Sequence, residues 1–169
     1  MVHVYTGNGK GKTTASLGLA FRAVGKGLRV LMIQFMKGDI EYGEVVSARN
    51  TRNITLIQKG RPDFVNRDDP DPVDVKLAEE ALALARERVS SRDFDVVILD
   101  EVNVAADWKL ISWDDVYDLV DGKPEDVELV CTGRGASQGL IDRADYATEM
   151  KEIKHPFQRG VLARDGIDH

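Results

Sequence analysis

The sequence predicts an α/β fold in which a mostly parallel sheet is flanked by helices. Two observations support this prediction. Short β-rich apolar runs alternate with longer segments of helical periodicity, which is typical of parallel sheets. A glycine-rich loop follows directly after the first of these runs and precedes a helical segment. At 169 residues, the chain is most simply one domain spanning residues 1–169.

The composition is that of a globular protein, with 43% hydrophobic and 31% charged residues. No apolar run approaches the roughly 20 residues that span a bilayer, and the N-terminus lacks a signal-peptide layout, so we expect a cytoplasmic protein with no membrane partner. The net charge of −6 argues weakly against a nucleic-acid partner, because phosphates are neutralised by clustered Lys and Arg. Cys131 is the only cysteine and is expected to be a small core residue.

The first half of the chain predicts three strands and one helix. The runs at residues 2–5, 28–35 and 54–59 are rich in β-branched and apolar residues and predict strands. The second of them is almost continuously apolar, which indicates a strand covered on both faces. Residues 13–24 predict a helix, because four apolar residues fall on one face: Leu17, Ala20, Phe21 and Val24.

A long polar segment separates the third predicted strand from a long helix. Residues 60–74 hold three of the five prolines and several aspartates, which predicts a loop. Loops of that length inside a compact domain are usually functional or disordered. Residues 73–91 then predict an amphipathic helix.

The second half of the chain predicts two more strands with a short helix between them. VVILDE at 96–101 is a buried strand that ends in two carboxylates, and VELVCTGRG at 127–135 is a strand that runs into an arginine flanked by glycines. Residues 112–120 predict a short helix, with Ser112 placed to cap its N-terminus.

Residues 6–13, TGNGKGKT, nearly match the phosphate-binding loop G-x-x-x-x-G-K-[ST], with Thr6 in place of the first glycine. Backbone amides of such a loop converge on phosphate oxygens, Lys12 would reach the phosphates, and the Thr13 hydroxyl would coordinate Mg²⁺. The alternative is a glycine-rich turn with incidental basic residues, which the flanking strand and helix disfavour. The residues expected to bind nucleotide here are Thr6, Gly7, Asn8, Gly9, Lys10, Gly11, Lys12, Thr13 and Thr14.

Three further side chains follow predicted strands and are therefore expected beside this loop, where ligands of open α/β sheets bind. Asp100 would hold Mg²⁺ directly or through water, and Glu101 would assist it or act as a base. Arg134 would neutralise charge on a departing polyphosphate, the alternative being a turn arginine in solvent. His155 precedes a proline and is expected to be extended, with a structural and a catalytic role both open.

Several of these motifs together resemble one family. The segments TGNGKGKTTASLGLAFRAVGKG, IQFMKG with a nearby YGE, VVILDE, TGRG and IKHPFQRGVLARDGID resemble the ATP:corrinoid adenosyltransferases of the bacterial and archaeal P-loop type. The matches extend in order from residue 5 to residue 168. The resemblance implies a P-loop NTPase-like (RecA-like) fold, a homodimer, and formation of the cobalt–carbon bond of adenosylcobalamin.

The resemblance also implies the chemistry. A Co(I) corrinoid, produced by a reductase partner, attacks the 5′-carbon of ATP, and inorganic triphosphate leaves. Mg²⁺, Lys12 and Arg134 would stabilise the negative charge that develops on the leaving group. Glu101, the third side chain expected to be catalytic, would assist the metal or act as a base. A loop that departs from the hydrolase pattern at its first glycine is what this family carries.

Two departures from the family pattern concern the corrinoid site. Related enzymes often have an N-terminal helical extension over this site, whereas this sequence starts at the first strand. The expected site is therefore either more open or closed by another segment. Some relatives carry a phenylalanine and a tryptophan in the loop after the third strand, where they displace the lower cobalt ligand. Here that loop has Phe64 and no tryptophan, so the resemblance extends to the first of the two aromatic residues and not to the second. The alternative for Phe64 is a loop anchor packed on the core.

Two other functions remain as alternatives at this stage. One is a P-loop kinase or ATPase that acts at the γ-phosphate, and the other is a non-catalytic protein that binds a nucleotide or a corrinoid. P-loop folds host many functions, so the fold alone does not separate these possibilities.

Overall fold

One six-stranded sheet organises the chain in this computed structural model, which describes residues 1–168. The strands in that range are β1 (Val2–Thr6), β2 (Val30–Phe35), β3 (Ile54–Lys59), β4 (Val96–Asp100), β5 (Glu128–Thr132) and β6 (Tyr146–Glu149). Their order across the sheet is β3-β2-β4-β5-β1-β6, and every neighbouring pair is parallel. The predicted α/β class and the parallel sheet are confirmed.

Helices cover both faces of this sheet. They are α1 (Lys12–Val24), α2 (Gly43–Arg49), α3 (Pro72–Ser91), α4 (Val102–Asp107), α5 (Trp113–Asp121) and α6 (Gln138–Arg143), followed by a 3-10 helix (Pro156–Arg159). One core layer joins α1 to the sheet, and the other joins α3, α4, α5 and α6 to its opposite face. Among the helices of residues 1–168, none combines the length and the apolar character needed to cross a bilayer.

The central strands are buried because both layers contribute apolar contacts. All six residues of β2 are buried, as its continuous apolar run predicts. Cys131 in β5 is also fully buried, in agreement with the expectation of a core residue, and burial raises the pKa of its thiol to about 12.

Side-chain caps explain where several helices begin. Asp71 accepts a hydrogen bond from the Val73 amide at the start of α3, whose first residue is a proline. Ser112 caps α5 as predicted, and Ser137 caps α6 in the same way. Each cap satisfies an amide that the helix itself leaves unpaired.

The prediction for the buried face of α1 is partly wrong. Ala20 is buried and Leu17 and Val24 are partly buried, but the Phe21 side chain is 76% exposed. The residues of α1 that are buried along the helix are small, Ser16, Ala20 and Ala23 among them, so α1 lies close to the sheet. Phe21 is therefore turned away from the sheet.

Short elements account for the rest of what the sequence prediction missed. The helices α2, α4 and α6 have six or seven residues each, too few for a clear periodicity. The edge strand β6 has four residues, all exposed, and pairs with β1 alone. It shows no alternation of apolar and polar residues, because neither of its faces is buried.

The predicted loop at 60–74 is shorter in the structure, because α3 begins at Pro72. Asp74 lies in the first turn of this helix and is buried, with the Arg61 guanidinium donating to both of its carboxylate oxygens at 2.8 and 2.6 Å. Val65 packs against the core from the middle of the loop. The loop is therefore fastened at two points by its own residues.

The segments that follow β2 and β3 cross with almost no space between their backbones. A Cβ atom on Gly60 would overlap the backbone nitrogen of Lys37 and the carbonyl carbon of Met36, and one on Gly38 would overlap the Gly60 oxygen. Met36 adopts a left-handed conformation with φ of 58° at this crossing. The crossing fixes the position of Lys37.

We expect Gly60→Ala to lower the free energy of unfolding by about 1–3 kcal/mol, because the added methyl group overlaps backbone that cannot move independently. The control is Gly18→Ala in α1, where an added Cβ meets nothing within 4 Å. That change is expected to raise the free energy of unfolding by about 0.5–1 kcal/mol, since alanine favours a helix. Denaturant unfolding measures both, and shifts of the same sign would contradict the crossing.

Candidate active site at the carboxyl edge of the sheet

The polar residues predicted from the sequence meet at the carboxyl edge of the parallel sheet. The phosphate loop follows β1, Asp100 ends β4, and the turn that carries Arg134 follows β5. Adjacent parallel strands end at the same edge, which is where open α/β sheets bind ligands. The structure therefore brings these predicted residues together.

Within the phosphate loop, the Lys12 ammonium lies across the loop and donates to the Gly9 carbonyl at 2.7 Å. Burial lowers the pKa of Lys12, while the nearby Glu101 charge opposes this shift. The Gly9 amide donates to the Met150 carbonyl at 2.6 Å. Not every amide of the loop is therefore free for a phosphate.

Thr6 and Lys10, two residues predicted to bind nucleotide, make contacts with other segments. The Thr6 hydroxyl accepts a hydrogen bond from the Ala136 amide at 3.2 Å, which connects β1 to the turn after β5. The Lys10 ammonium lies 2.8 Å from Asp168 and donates to the Ile167 carbonyl at 3.0 Å. Two cavities at this edge are described below. The residues Asn8–Thr14 line the smaller of them, whereas Thr6 and Gly7 do not.

Asp100 is fully buried, and both of its carboxylate oxygens accept hydrogen bonds. Its Oδ1 atom accepts from the hydroxyls of Thr13 at 2.8 Å and Thr132 at 2.7 Å. Its Oδ2 atom accepts from the Lys37 ammonium at 2.8 Å and the Gln34 amide at 3.2 Å. A buried carboxylate needs this degree of compensation to remain charged.

Lys37 and Gln34 connect Asp100 to helix α2. The Gln34 amide also donates to Glu44 at 3.0 Å, and its oxygen accepts from Gln58 at 3.0 Å. The Lys37 ammonium lies 3.9 Å from Glu44. Burial opposes the charge on Lys37, but the Asp100 carboxylate outweighs this effect and raises the pKa of the ammonium above its ordinary value.

Glu101 follows Asp100 in a left-handed conformation with φ of 64°, which is unusual for a residue with a side chain. Such strain is most often found at functional sites. Burial raises the pKa of the Glu101 carboxyl, the neighbouring Asp100 charge raises it further, and the charges of Lys37, Lys12 and Arg134 oppose the shift.

The turn after β5 exposes Arg134 beside the phosphate loop. Gly133 and Gly135 on either side have φ of 130° and 69°, values that favour glycine. The amide side chain of Asn103 donates to the Gly133 carbonyl at 3.1 Å and holds the turn against α4. Arg134 itself is exposed, so its guanidinium is available to a ligand.

Two cavities meet at these residues. The smaller has a volume of about 340 Å³ and lies over the phosphate loop, and the larger has about 1120 Å³. Ligand sites typically enclose about 300–1,000 Å³, so each has the size of a substrate site. The side chains that line both include Thr13, Thr14, Glu101, Arg134, His155 and Phe157.

Exposed aromatic side chains surround the larger cavity. Phe64 lines it and is fully exposed, which excludes the alternative that it anchors its loop on the core; Val65 has that role. Phe21 and Phe157 also line it, with 76% and 74% of their surface exposed. Exposed large apolar groups clustered in one cleft are typical of a ligand site.

The chain segment after β6 forms a wall of the smaller cavity. His155 begins the 3-10 helix, and its ring nitrogen accepts from the Phe157 amide at 3.2 Å, which gives it a structural role. Residues 161–164 and Asp168 complete the wall. In the sequence, this segment was indicated by residues 153–168, IKHPFQRGVLARDGID, one of the segments on which the family resemblance rests.

The donor set fits a metal that arrives with a nucleotide. In the part of the chain that the structure describes, no three His, Cys, Asp and Glu side chains are arranged to hold a metal alone. The Thr13 hydroxyl lies 2.8 Å from the Asp100 carboxylate, beside the phosphate loop. Mg²⁺ is commonly bound by one or two carboxylates together with phosphates of the substrate.

Lys37 is the main residue of the site that the sequence prediction missed. It lies just after the end of β2, with Met36 between, so the rule that placed Asp100 and Arg134 at the carboxyl edge would have placed it there as well. Gln34 and Thr132 were also missed. The signal for Gln34 was a polar residue within the otherwise apolar β2, and the signal for Thr132 was a polar residue at the carboxyl end of β5.

Comparison with known proteins gives one family. The profile of the family described as ATP:corrinoid adenosyltransferase BtuR/CobO/CobP matches residues 1–169. Corrinoid adenosyltransferases of Pseudomonas aeruginosa and Escherichia coli K12 are 33% and 32% identical; the matches cover 98% and 100% of this chain and 81% and 85% of those proteins. An uncharacterized protein of Nostoc is 35% identical over 95% of this chain. The match covers about half (46%) of the length of the Nostoc protein.

We expect Asp100→Ala to lower the free energy of unfolding by about 3 kcal/mol, because it removes one partner of a buried ion pair and leaves the polar groups around it without an acceptor. Asp121→Ala is the control, since Asp121 pairs with Arg143 on the surface at 3.0 Å and is expected to cost less than about 1 kcal/mol. Equal losses in thermal or denaturant unfolding would contradict the structural role of Asp100.

Proposed function

The chain belongs to the ATP:corrinoid adenosyltransferase family, and we propose that it transfers the 5′-deoxyadenosyl group of ATP to a Co(I) corrinoid and releases inorganic triphosphate. In this proposal ATP occupies the smaller cavity over the phosphate loop, and the corrinoid occupies the larger one. The product is the adenosyl form of the corrinoid, made either in its biosynthesis or in its salvage.

One observation supports this arrangement most strongly, namely that the two cavities share a wall. Glu101 and Arg134 line both of them. A nucleotide in the smaller cavity can therefore direct its ribose towards a large planar ligand in the other. Transfer of an alkyl group requires such a direct approach of the two reacting atoms.

The bond changes define what the protein must stabilise. The electron pair of Co(I) forms the bond to the 5′-carbon, while the bond between that carbon and the α-phosphate oxygen breaks. The bonding electrons leave with the triphosphate, and the cobalt becomes formally Co(III). Negative charge therefore develops on the oxygen that joined the 5′-carbon to the α-phosphorus.

Positive groups around the smaller cavity would stabilise this charge. The Lys12 ammonium would exchange the Gly9 carbonyl, its partner at 2.7 Å, for phosphate oxygens. The exposed guanidinium of Arg134 would approach from the opposite side. Mg²⁺, held beside Thr13 and Asp100, would supply further charge compensation on the triphosphate. Glu101 would accept hydrogen bonds from water bound to the metal.

Phe64 would contact the face of the corrin opposite the adenosyl group. It lines the larger cavity, is fully exposed, and belongs to a loop that Arg61 and Val65 fasten to the core. Contact in the space of the lower ligand would leave the cobalt of Co(II) four-coordinate and raise its reduction potential. Formation of the Co(I) nucleophile would then require a weaker reductant.

Two partners belong to this proposal. A reductase would supply the electron, because the reaction begins from Co(I). A second copy of the chain would form a homodimer, and this is supported by the Ile153 side chain, which is 89% exposed and lines neither cavity. Burial of such groups between copies is favourable.

The test is product analysis in an anaerobic assay that contains ATP, Mg²⁺ and a chemically reduced corrinoid. We expect adenosyl-cobalt and inorganic triphosphate to form in equal amounts. ADP and phosphate would identify transfer or hydrolysis at the γ-phosphate and contradict the proposal. Binding of ATP without turnover would identify a non-catalytic protein and would contradict it as well.

We expect Lys12→Ala to lower the rate of adenosyl transfer at least about a hundredfold, because it removes an electrostatic stabiliser of the leaving group. Lys26→Ala is a control of the same charge change at the far end of α1, outside the lining of both cavities. Single-turnover rates at saturating ATP measure the effect. A normal rate for folded Lys12→Ala would exclude this role of the phosphate loop.

We expect Phe64→Ala to slow the reaction most when the corrinoid enters as Co(II) with a weak reductant, and much less when Co(I) is prepared chemically. The matched control is Phe21→Ala, an exposed aromatic residue that lines the same cavity from α1. It is expected to weaken corrinoid binding equally in both assays. Equal losses for Phe64→Ala in the two assays would restrict its role to binding.

A further inference from the structure

We propose that Lys37 serves as a built-in cation at Asp100, so that the site accepts a divalent metal only together with the nucleotide. This inference rests on the proposed function in one respect, namely that the nucleotide enters as its metal complex. It assigns Lys37 a positioning role, because Lys37 acts on the reaction through Asp100.

The contacts of the Lys37 ammonium are those expected of a bound cation. Its nitrogen lies 2.8 Å from one oxygen of Asp100 and 3.9 Å from Glu44, on the side away from Thr13. The Glu101 carboxyl also interacts electrostatically with the Lys37 ammonium. A lysine from the segment after β2 thus lies between a carboxylate of β4 and a carboxylate of α2.

Without this ammonium, the site would resemble a binding site for a hard divalent metal. Asp100 Oδ2 would retain the Gln34 amide as its only described partner, and the same amide would hold Glu44 beside it. Two neighbouring carboxylates with a hydroxyl nearby suit Mg²⁺ and Mn²⁺, which complete their shells with water. The ammonium neutralises part of this negative charge, so the site attracts a free metal ion only weakly.

The arrangement leaves one face of Asp100 for the nucleotide. Lys37 contacts Oδ2, whereas Oδ1 accepts from the Thr13 hydroxyl of the phosphate loop at 2.8 Å and from the Thr132 hydroxyl at 2.7 Å. A metal ion that arrives on a triphosphate brings its own negative ligands, so it needs only the Thr13 and Oδ1 side.

The backbone keeps Lys37 in this position. The preceding residue, Met36, has a left-handed backbone conformation, and the Gly60 backbone packs directly against the backbone nitrogen of Lys37. The Lys37 side chain is 21% exposed and lines the larger cavity, while Asp100 is wholly buried. The lysine therefore lies between Asp100 and the cavity proposed for the second substrate.

The experiment measures binding of Mn²⁺ alone, without ATP or corrinoid, by the loss of the electron paramagnetic signal of the free ion. We expect Lys37→Met and Lys37→Gln to bind Mn²⁺ at least about tenfold more tightly than the unmodified protein, because each removes one charge close to Asp100. Lys37→Gln removes the charge but retains a hydrogen-bond donor for Asp100. It therefore distinguishes the effect of the charge from the effect of the hydrogen bond.

Three controls accompany this experiment. Lys59→Met removes the lysine of a surface pair with Glu80 at 3.1 Å, and it should leave Mn²⁺ binding unchanged. Lys37→Arg retains the charge and should bind Mn²⁺ as weakly as the unmodified protein. The double variant Lys37→Met with Asp100→Asn should lose the Mn²⁺ affinity that Lys37→Met gains.

Folding of the variants gives a second measurement. Mn²⁺ should raise the melting temperature of Lys37→Met and Lys37→Gln but not that of the unmodified protein, since a ligand stabilises the state that binds it. Folded variants that bind Mn²⁺ no better than the unmodified protein would overturn the proposal. Variants that stay unfolded with Mn²⁺ would overturn it too, since they would show a purely structural lysine.

The two proposals fail separately. Mn²⁺ binding is measured with neither substrate present, so its outcome does not depend on adenosyl transfer. A gain of Mn²⁺ affinity in a protein that produced ADP in the product assay would support the role of Lys37 and contradict the proposed function alone.

Discussion

The buried carboxylate of Asp100 is the constraint on which the rest of the site depends. A charge with no solvent contact must be compensated on both oxygens, and the four partners come from α1, β2, β5 and the segment after β2. These partners place the phosphate loop, the turn that carries Arg134 and the floor of the larger cavity relative to one another. A change at Asp100 therefore affects the geometry of the whole edge, as well as any metal that binds there.

A second constraint acts from the end of the chain. The Met150 carbonyl accepts from the Gly9 amide at 2.6 Å, and Asp168 lies 2.8 Å from the Lys10 ammonium. The phosphate loop is thus bounded by the segment that follows β6, and that segment supplies a wall of the smaller cavity. Nucleotide binding and the order of this segment should influence each other, because both use the same loop.

The sequence predicted the parts of the site that depend on local pattern. The strand, loop and helix at the N-terminus located Lys12 and Thr13, and an apolar run ending in two acids located Asp100. The end of β2 would have placed Lys37 at the same edge, but its pairing with Asp100, 63 residues away, is not recorded by any local pattern. The face of α1 was misjudged at Phe21 because helical periodicity alone does not distinguish the sheet from a ligand cleft.

The central claim is that Lys37 holds Asp100 in place before any substrate binds, and nitrogen-15 spectroscopy of labelled lysine side chains tests it most directly. A buried, hydrogen-bonded ammonium exchanges its protons slowly, whereas an exposed one exchanges them fast. The account predicts a slowly exchanging Lys37 signal in the free protein, which shifts but persists when Mg-ATP is added and is lost in Asp100→Ala. A Lys37 signal that exchanges as fast as those of exposed lysines would contradict it.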